Sequence, residues 1–216
     1  MKYTIGYDIG SSSVKIALVE AKTNKKIAVI TEPQEEMPIR AKKAHWAEQD
    51  PEMWWKHLCG GTHRILHENA INANQILSVG ISYQMHGLVV LDKNKSLLRD
   101  AIIWCDSRAV EIGEKAAKEI GEARFGSHLF NAPGNFTASK LKWVKENEPE
   151  LYSKVTHYML PGDFIAYKLT GEIATTINGL SEGMLWDFKE KKVADWLLKY
   201  YGIDPNLTPP LVSNFE

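Results

Sequence analysis

The sequence has 216 residues, 44% of them hydrophobic, which is enough apolar mass for one sizeable core or two small ones. Its 26 basic and 27 acidic residues nearly cancel, which excludes the broad basic footprint of a nucleic-acid binder. No apolar run approaches the ~20 residues of a membrane-spanning helix, and no leader pattern precedes the first strand. Cys59 and Cys105 lack the paired spacing of zinc or redox motifs, so they read as small buried thiols of a cytoplasmic protein.

Tyr3, Ile5, Tyr7 and Ile9 alternate with polar or small residues, the period of a strand with one buried face. Val14, Ile16 and Leu18 repeat that period, and Ile27, Val29 and Thr31 predict a third strand after the turn at Thr23–Lys26. Between the first two lies Gly10-Ser11-Ser12-Ser13, in which Gly10 can take positive φ and each serine offers a hydroxyl beside a backbone N–H. Such a turn can aim several donors at one anion. Asp8 stands at its mouth, where it can hold a hydrated Mg²⁺ against a phosphate. The same residues also suit an ordinary hairpin with a serine-rich turn.

Residues 33–46 are poor in apolar side chains and read as a loop. Asp50-Pro51-Glu52 starts a helix, with an acid at the N-cap and proline at the first helical position. That helix carries Trp54, Leu58, Ile65 and Leu66, and Gly60-Gly61 weakens its middle. His63 and His67 share one face, yet a metal pair needs a further ligand that the sequence does not supply nearby. Residues 76–82 predict a hydrophobic strand. The polar break Tyr83-Gln84-Met85-His86-Gly87 follows, then the apolar run Leu88–Leu91. Gln84 can donate and accept, and His86 can do either by tautomer, which suits a polyhydroxylated ligand; a turn with an incidental histidine is the other reading.

Residues 92–95 predict a turn and 101–104 a short buried strand. Asp106 is a candidate N-cap for a helix running to Ile120. Trp104 can lie against a sugar face, while Asp106 and Arg108 suit either a ligand clamp or a local ion pair. Residues 125–135 read as a loop, 137–147 as a helix and 157–160 as a strand. Pro161-Gly162-Asp163 begins a helix that stops at Gly171. Residues 174–185 read as loop or irregular strand, and 193–201 as a last helix. An extended segment begins at Asp204-Pro205.

As a set in this order, several stretches resemble the FGGY carbohydrate kinases. They are Asp8-Ile9-Gly10-Ser11-Ser12-Ser13, then His45-Trp46-Ala47-Glu48-Gln49-Asp50-Pro51, Phe136-Thr137-Ala138-Ser139-Lys140-Leu141, and Leu160-Pro161-Gly162-Asp163 ending at Leu169-Thr170-Gly171-Glu172. Gln84-Met85-His86-Gly87 and Trp104-Cys105-Asp106-Ser107-Arg108 are similar to the xylulokinase branch. The resemblance implies an α/β fold: a ribonuclease-H-like lobe of the actin and hexokinase type, with a mixed sheet that opens on an antiparallel hairpin and is flanked by helices. Family members pair two such lobes, with sugar and ATP meeting between them. Residues 1–216 match the N-terminal sugar-binding lobe, short of the Gly-Gly-Gly-Asp-Asn segment that supplies the catalytic aspartate and of the ATP lobe.

By the same resemblance, Asp8 acts near the metal and γ-phosphate, with Mg²⁺ held through water. Gly10, Ser11, Ser12, Ser13 and Lys15 face the ATP phosphates. Gln84, Met85, His86, Trp104, Asp106 and Arg108 line the sugar site. The implied partners are D-xylulose and ATP, with no nucleic acid and no membrane, and a homodimer is allowed for the complete protein. Residues 175–181 lack the aspartate usual after the Leu-Thr-Gly-Glu motif, which leaves the particular sugar open: ribulose, another ketose, or a sugar acid such as gluconate. A non-catalytic sugar-binding module is the alternative outside the enzyme class.

Overall fold

The alternation at the start of the chain builds an antiparallel pair, β1 (Tyr3–Ile9) and β2 (Val14–Glu20), with Tyr7 opposite Ile16 and Asp8 opposite Lys15. The computed structural model describes residues 1–215, and the chain divides into two compact units. The first holds Met1–Ile39 and Gln49–Gln84. In it β3 (Lys26–Glu32) pairs antiparallel with β2. The two-residue strand β4 (Glu48–Gln49) lies where the chain passes back from the second unit. Helix α1 (Pro51–Glu68) follows, and β5 (Ile76–Tyr83) returns parallel to β1, giving the mixed sheet order β3-β2-β1-β5.

Asp50 caps α1 by accepting from the Glu52 N–H at 2.9 Å. The helix runs unbroken through Gly60 and Gly61, so the expected weak point is a packing device. A Cβ at Gly61 would fall 2.5 Å from Ile16 Cδ1 and 2.9 Å from Glu32 Cγ, and its absence lets α1 lie close on β2 and β3. The Tyr7 hydroxyl meets Thr62 Oγ1 at 2.9 Å on the same face. β5 reads as a hydrophobic strand, yet as the sheet edge it leaves Leu77 and Val79 exposed.

The second unit holds Arg40–Glu48 and the chain from Met85 onward. Its short strands β6 (Val89–Leu91), β7 (Ala101–Ile102) and β8 (His157–Met159) lie among helices α2 (Val110–Ile120), α3 (Glu122–His128), α4 (Thr137–Asn147), the single turn α5 (Pro149–Tyr152) and α6 (Pro161–Thr170). β6 pairs antiparallel with β8. Beyond them come β9 (Thr175–Thr176), α7 (Ile177–Glu182), the hairpin β10 (Trp186–Asp187) with β11 (Lys192–Val193), α8 (Asp195–Tyr201) and β12 (Leu211–Val212), which pairs parallel with β9. Leu88, Val90, Phe125, Leu141, Val144, Tyr158, Leu185 and Leu198 meet in its core.

Five expectations are corrected. The stretch read as a loop from Phe125 is helical to His128, because Phe125 turns into the core. Residues 174–185 contain α7, whose N-cap Thr176 accepts from the Gly179 N–H at 3.1 Å. The last helix starts at Asp195, because Val193 is taken up opposite Trp186 in the β10–β11 hairpin. The strand read over 101–104 ends at Ile102, with Ile103 still buried and its N–H donating to Ala47 O at 3.1 Å. Cys105 is an exposed residue and Cys59 a half-buried one, so neither is a core cysteine. Among the described residues, no helix is long and apolar enough to cross a membrane.

Candidate functional site

Two groups of the expected residues are built by different parts of the chain. The first lies at the carboxyl ends of the parallel strands β1 and β5, the place where open α/β sheets take ligands. Gln84 follows β5 directly, and its N–H donates to Ile9 O at 2.8 Å. The serine turn is closed by the Gly10 N–H donating to Ser13 O at 3.0 Å. It is also pinned from behind, since the Met37 N–H donates to Ser12 O at 2.8 Å and Gln49 Nε2 to Ser11 O at 2.7 Å. Ser12 is exposed, and Ser11 and Ser13 are half-buried.

Gln49 was missed as a site residue, although it sits inside a quoted motif. Fully buried, it also donates to Pro38 O at 3.3 Å and accepts from Trp54 Nε1 at 3.1 Å, so it ties the turn to α1. Asp8 and Lys15 face each other across the β1–β2 ladder, both exposed, with Nζ 3.8 Å from the carboxylate. An anchored turn with one carboxylate and one ammonium fits a phosphate and its hydrated divalent ion. Gln84 adds a second sign of a ligand. Its Oε1 and Nε2 are buried without a hydrogen-bond partner among the described residues. Leaving both so costs ~1–3 kcal/mol each unless a ligand completes them.

The second group begins at the next residue. Met85 is 54% exposed. His86 has φ +59°, and its N–H donates to a Glu182 carboxylate oxygen. Its carbonyl accepts from Lys140 Nζ at 2.7 Å, and the ring meets Phe136 edge-on at 4.0 Å between centroids. The imidazole Nδ1 is buried without a hydrogen-bond partner and lies 3.7 Å from Glu182 Oε1. Burial first, and the Lys140 charge second, push its pKa down to about 4, so the ring is neutral near pH 7. A neutral imidazole can donate from one nitrogen and accept at the other, as a sugar hydroxyl requires.

Asp106, Arg108 and Trp104 are placed differently from one another. Trp104 is 48% exposed. Asp106 does not cap α2, whose N-cap is Ala109 with no side-chain bond. Its Oδ2 accepts from the Ala47 N–H at 2.6 Å and from Arg108 Nη2 at 2.6 Å. Both side chains are buried, and Glu48 Oε1 accepts from Arg108 Nη1 at 2.8 Å. Of the two arrangements their types allow, the local ion pair is the one present.

Lys140 and Glu182 were also missed. A signal for Lys140 was legible, since it stands three residues after Thr137 and four before Val144, on the stripe of α4 that faces inward. Glu182 carried none, because its helix was read as a loop. His63 and His67 both lie on α1, and no cluster of three metal-ligating side chains occurs among the described residues.

Residues 3–216 match the model for the FGGY family of carbohydrate kinases, N-terminal domain. A xylulose kinase of Bacillus subtilis is 33% identical over 221 residues, covering all of this chain and 42% of that protein. A glycerol kinase of Thermococcus gammatolerans is 28% identical over all of this chain and 44% of its own length. Among solved structures, a "xyloylose kinase" from Brucella ovis superposes with TM-score 0.86 at 26% identity, covering 97% of this chain and 42% of that one. The chain thus spans about two fifths of the length of the relatives it matches. The mixed α/β architecture is that of the sugar-kinase lobe.

Proposed function

The chain belongs to the FGGY family of carbohydrate kinases, and we propose that it is the N-terminal, sugar-binding part of an ATP-dependent pentulose kinase that makes D-xylulose 5-phosphate from D-xylulose. The observation that carries the reading lies in the second unit, the buried His86 Nδ1 with no hydrogen-bond partner among the described residues. Hydroxyls of a polyol complete such groups, and an apolar ligand would leave them unsatisfied. Xylulose is favoured by the Bacillus subtilis relative. The glycerol kinase relative marks the runner-up, another polyol, ketose or sugar acid on the same scaffold.

Mg·ATP, when bound, supplies the phosphoryl group for in-line transfer to a primary hydroxyl, a reaction in which positioning and charge neutralisation do most of the work. In this reading the serine turn and Lys15 hold phosphate oxygens, and Asp8 orients the hydrated metal. In the second unit neutral His86 fixes a sugar hydroxyl, Met85 packs against the carbon chain, and Trp104 covers one face. Asp106 and Arg108 brace the chain just after Trp104 through their ion pair and the Ala47 N–H. Proton removal belongs to the family's aspartate, which these 216 residues do not carry.

The test is ADP release by the full-length protein with D-xylulose, D-ribulose, gluconate and glycerol. D-xylulose should give the highest kcat/KM. His86→Ala should lower that value by ~1–3 kcal/mol in transition-state terms, because a polar partner is lost in a buried site. An unchanged value in a folded variant would remove His86 from the sugar site, and a preference for another substrate would replace the xylulose assignment.

A further inference from the structure

The backbone of His86 is left-handed, at φ +59°, a conformation that costs a residue with a side chain and that neighbouring groups can hold in place. Those groups come from three elements of the second unit. Glu182, at the end of α7, accepts the His86 N–H, and Lys140, within α4, donates to the His86 carbonyl at 2.7 Å. Thr137, one turn earlier on α4, donates to Gly87 O at 3.2 Å. A Cβ at Gly87 would fall 2.5 Å from Pro161 Cγ at the start of α6, so the loop is closed against that helix as well.

Lys140 is the unusual member. It has no exposed surface, and a buried ammonium is costly unless its charge is used. A methionine would fill the same place on the apolar stripe of α4 without that cost. The acceptor its Nζ meets is the His86 carbonyl, with Asp106, Cys105 and Glu182 as favourable neighbours and Arg108 as an opposing one.

We propose that Lys140 and Glu182 are positioning residues, a clamp on the two peptide groups that flank the His86 Cα, which aims the imidazole at the sugar. The sugar-kinase reading supplies what the imidazole meets; the clamp stands on the geometry alone. The two members hold the backbone on either side of the same Cα but act oppositely on the ring. The Lys140 charge disfavours a protonated imidazole, and the bond from Glu182 favours one. The other neighbour, Phe136, carries no charge.

That opposition separates positioning from mere packing. In the full-length protein, the His86 ring is followed by NMR of ¹⁵N-labelled histidine, assigned with His86→Ala. Lys140→Met should raise the ring's titration midpoint by about one pH unit or more, and Glu182→Gln should lower it. Both should raise KM for D-xylulose ~10-fold or more at pH 7, with kcat within ~3-fold. A folded Lys140→Met with unchanged midpoint and KM overturns the clamp, as do KM losses that track melting temperature while the ring stays unmoved. If Lys140→Met does not fold, Glu182→Gln decides: an unchanged KM and midpoint overturns the proposal. If the wild-type protein phosphorylates no ketose, the functional reading fails, and the opposed ring shifts still decide the clamp.

Discussion

Arg108 is held by two neighbouring indoles and along its edge. Its guanidinium carbon lies 3.8 Å from the Trp46 ring centre and 4.8 Å from that of Trp143. Glu48 and Asp106 take its N–H groups, and Glu48 is shared with Arg99 and with Lys42 at 2.9 Å. Burial raises the Glu48 pKa, but Lys42, Arg99 and Arg108 outweigh it and hold the carboxyl below its ordinary value. Four residues of the motif His45-Trp46-Ala47-Glu48-Gln49-Asp50 have a visible task. Trp46 stacks on Arg108, Glu48 anchors two arginines, Gln49 holds the serine turn, and Asp50 caps α1. Removing one partner of a buried pair strands the others, so Arg108→Met is expected to lose ~3–5 kcal/mol of unfolding free energy. Urea unfolding would measure it, and a loss under ~1 kcal/mol, the scale of an exposed pair, would show that Glu48 and Asp106 are satisfied without the guanidinium.

At the scale of the element, α6 opens on a buried acid. Asp163 Oδ2 accepts from the Leu160 N–H at 3.1 Å and from the Thr175 hydroxyl at 3.0 Å, tying the helix start to β9. Burial nevertheless dominates and pushes the carboxyl up to about 7 from an ordinary 3.8. The folded state therefore favours the protonated acid. The stability Asp163 contributes is full below pH ~4 and is lost as pH rises to ~7. Asp163→Asn has no proton to lose, so its melting temperature should gain on the wild type steadily between those values. A difference that stays constant from pH 4 to 8 would mean that the acid is ionised throughout. The first three strands and α1 were legible because period and cap agree locally, and α4 matched its expected bounds. α3 and α7 were not, since they are short and contain glycine, and their helicity comes from Phe125 and Leu180 packing into the core. The same limit hid half of the clamp: His86 was legible as a polar residue at a break, but Glu182 reaches it only through a helix that local sequence did not announce.

For the molecule as a whole, the decisive fact is how much of the chemistry these residues contain. They provide a serine turn beside Asp8 and Lys15, and Gln84 and His86 side-chain atoms without a hydrogen-bond partner among the described residues. They contain no segment matching the family's Gly-Gly-Gly-Asp-Asn, and losing a general base alone typically costs ~10²–10⁴ in rate. Asp8, Ser12 and Lys15 are exposed, and charge contacts made from one side in water are weak. β5 adds an open sheet edge with Leu77 and Val79 exposed, the kind of edge that pairs with another chain. Residues 1–216 expressed alone are therefore expected to release no ADP with D-xylulose, D-ribulose or glycerol, and to associate with themselves as concentration rises. Size-exclusion chromatography coupled to the ADP assay tests both at once. Sugar-dependent turnover that follows the protein peak would place a working base within these 216 residues, with Asp8 the first carboxylate to examine through Asp8→Asn.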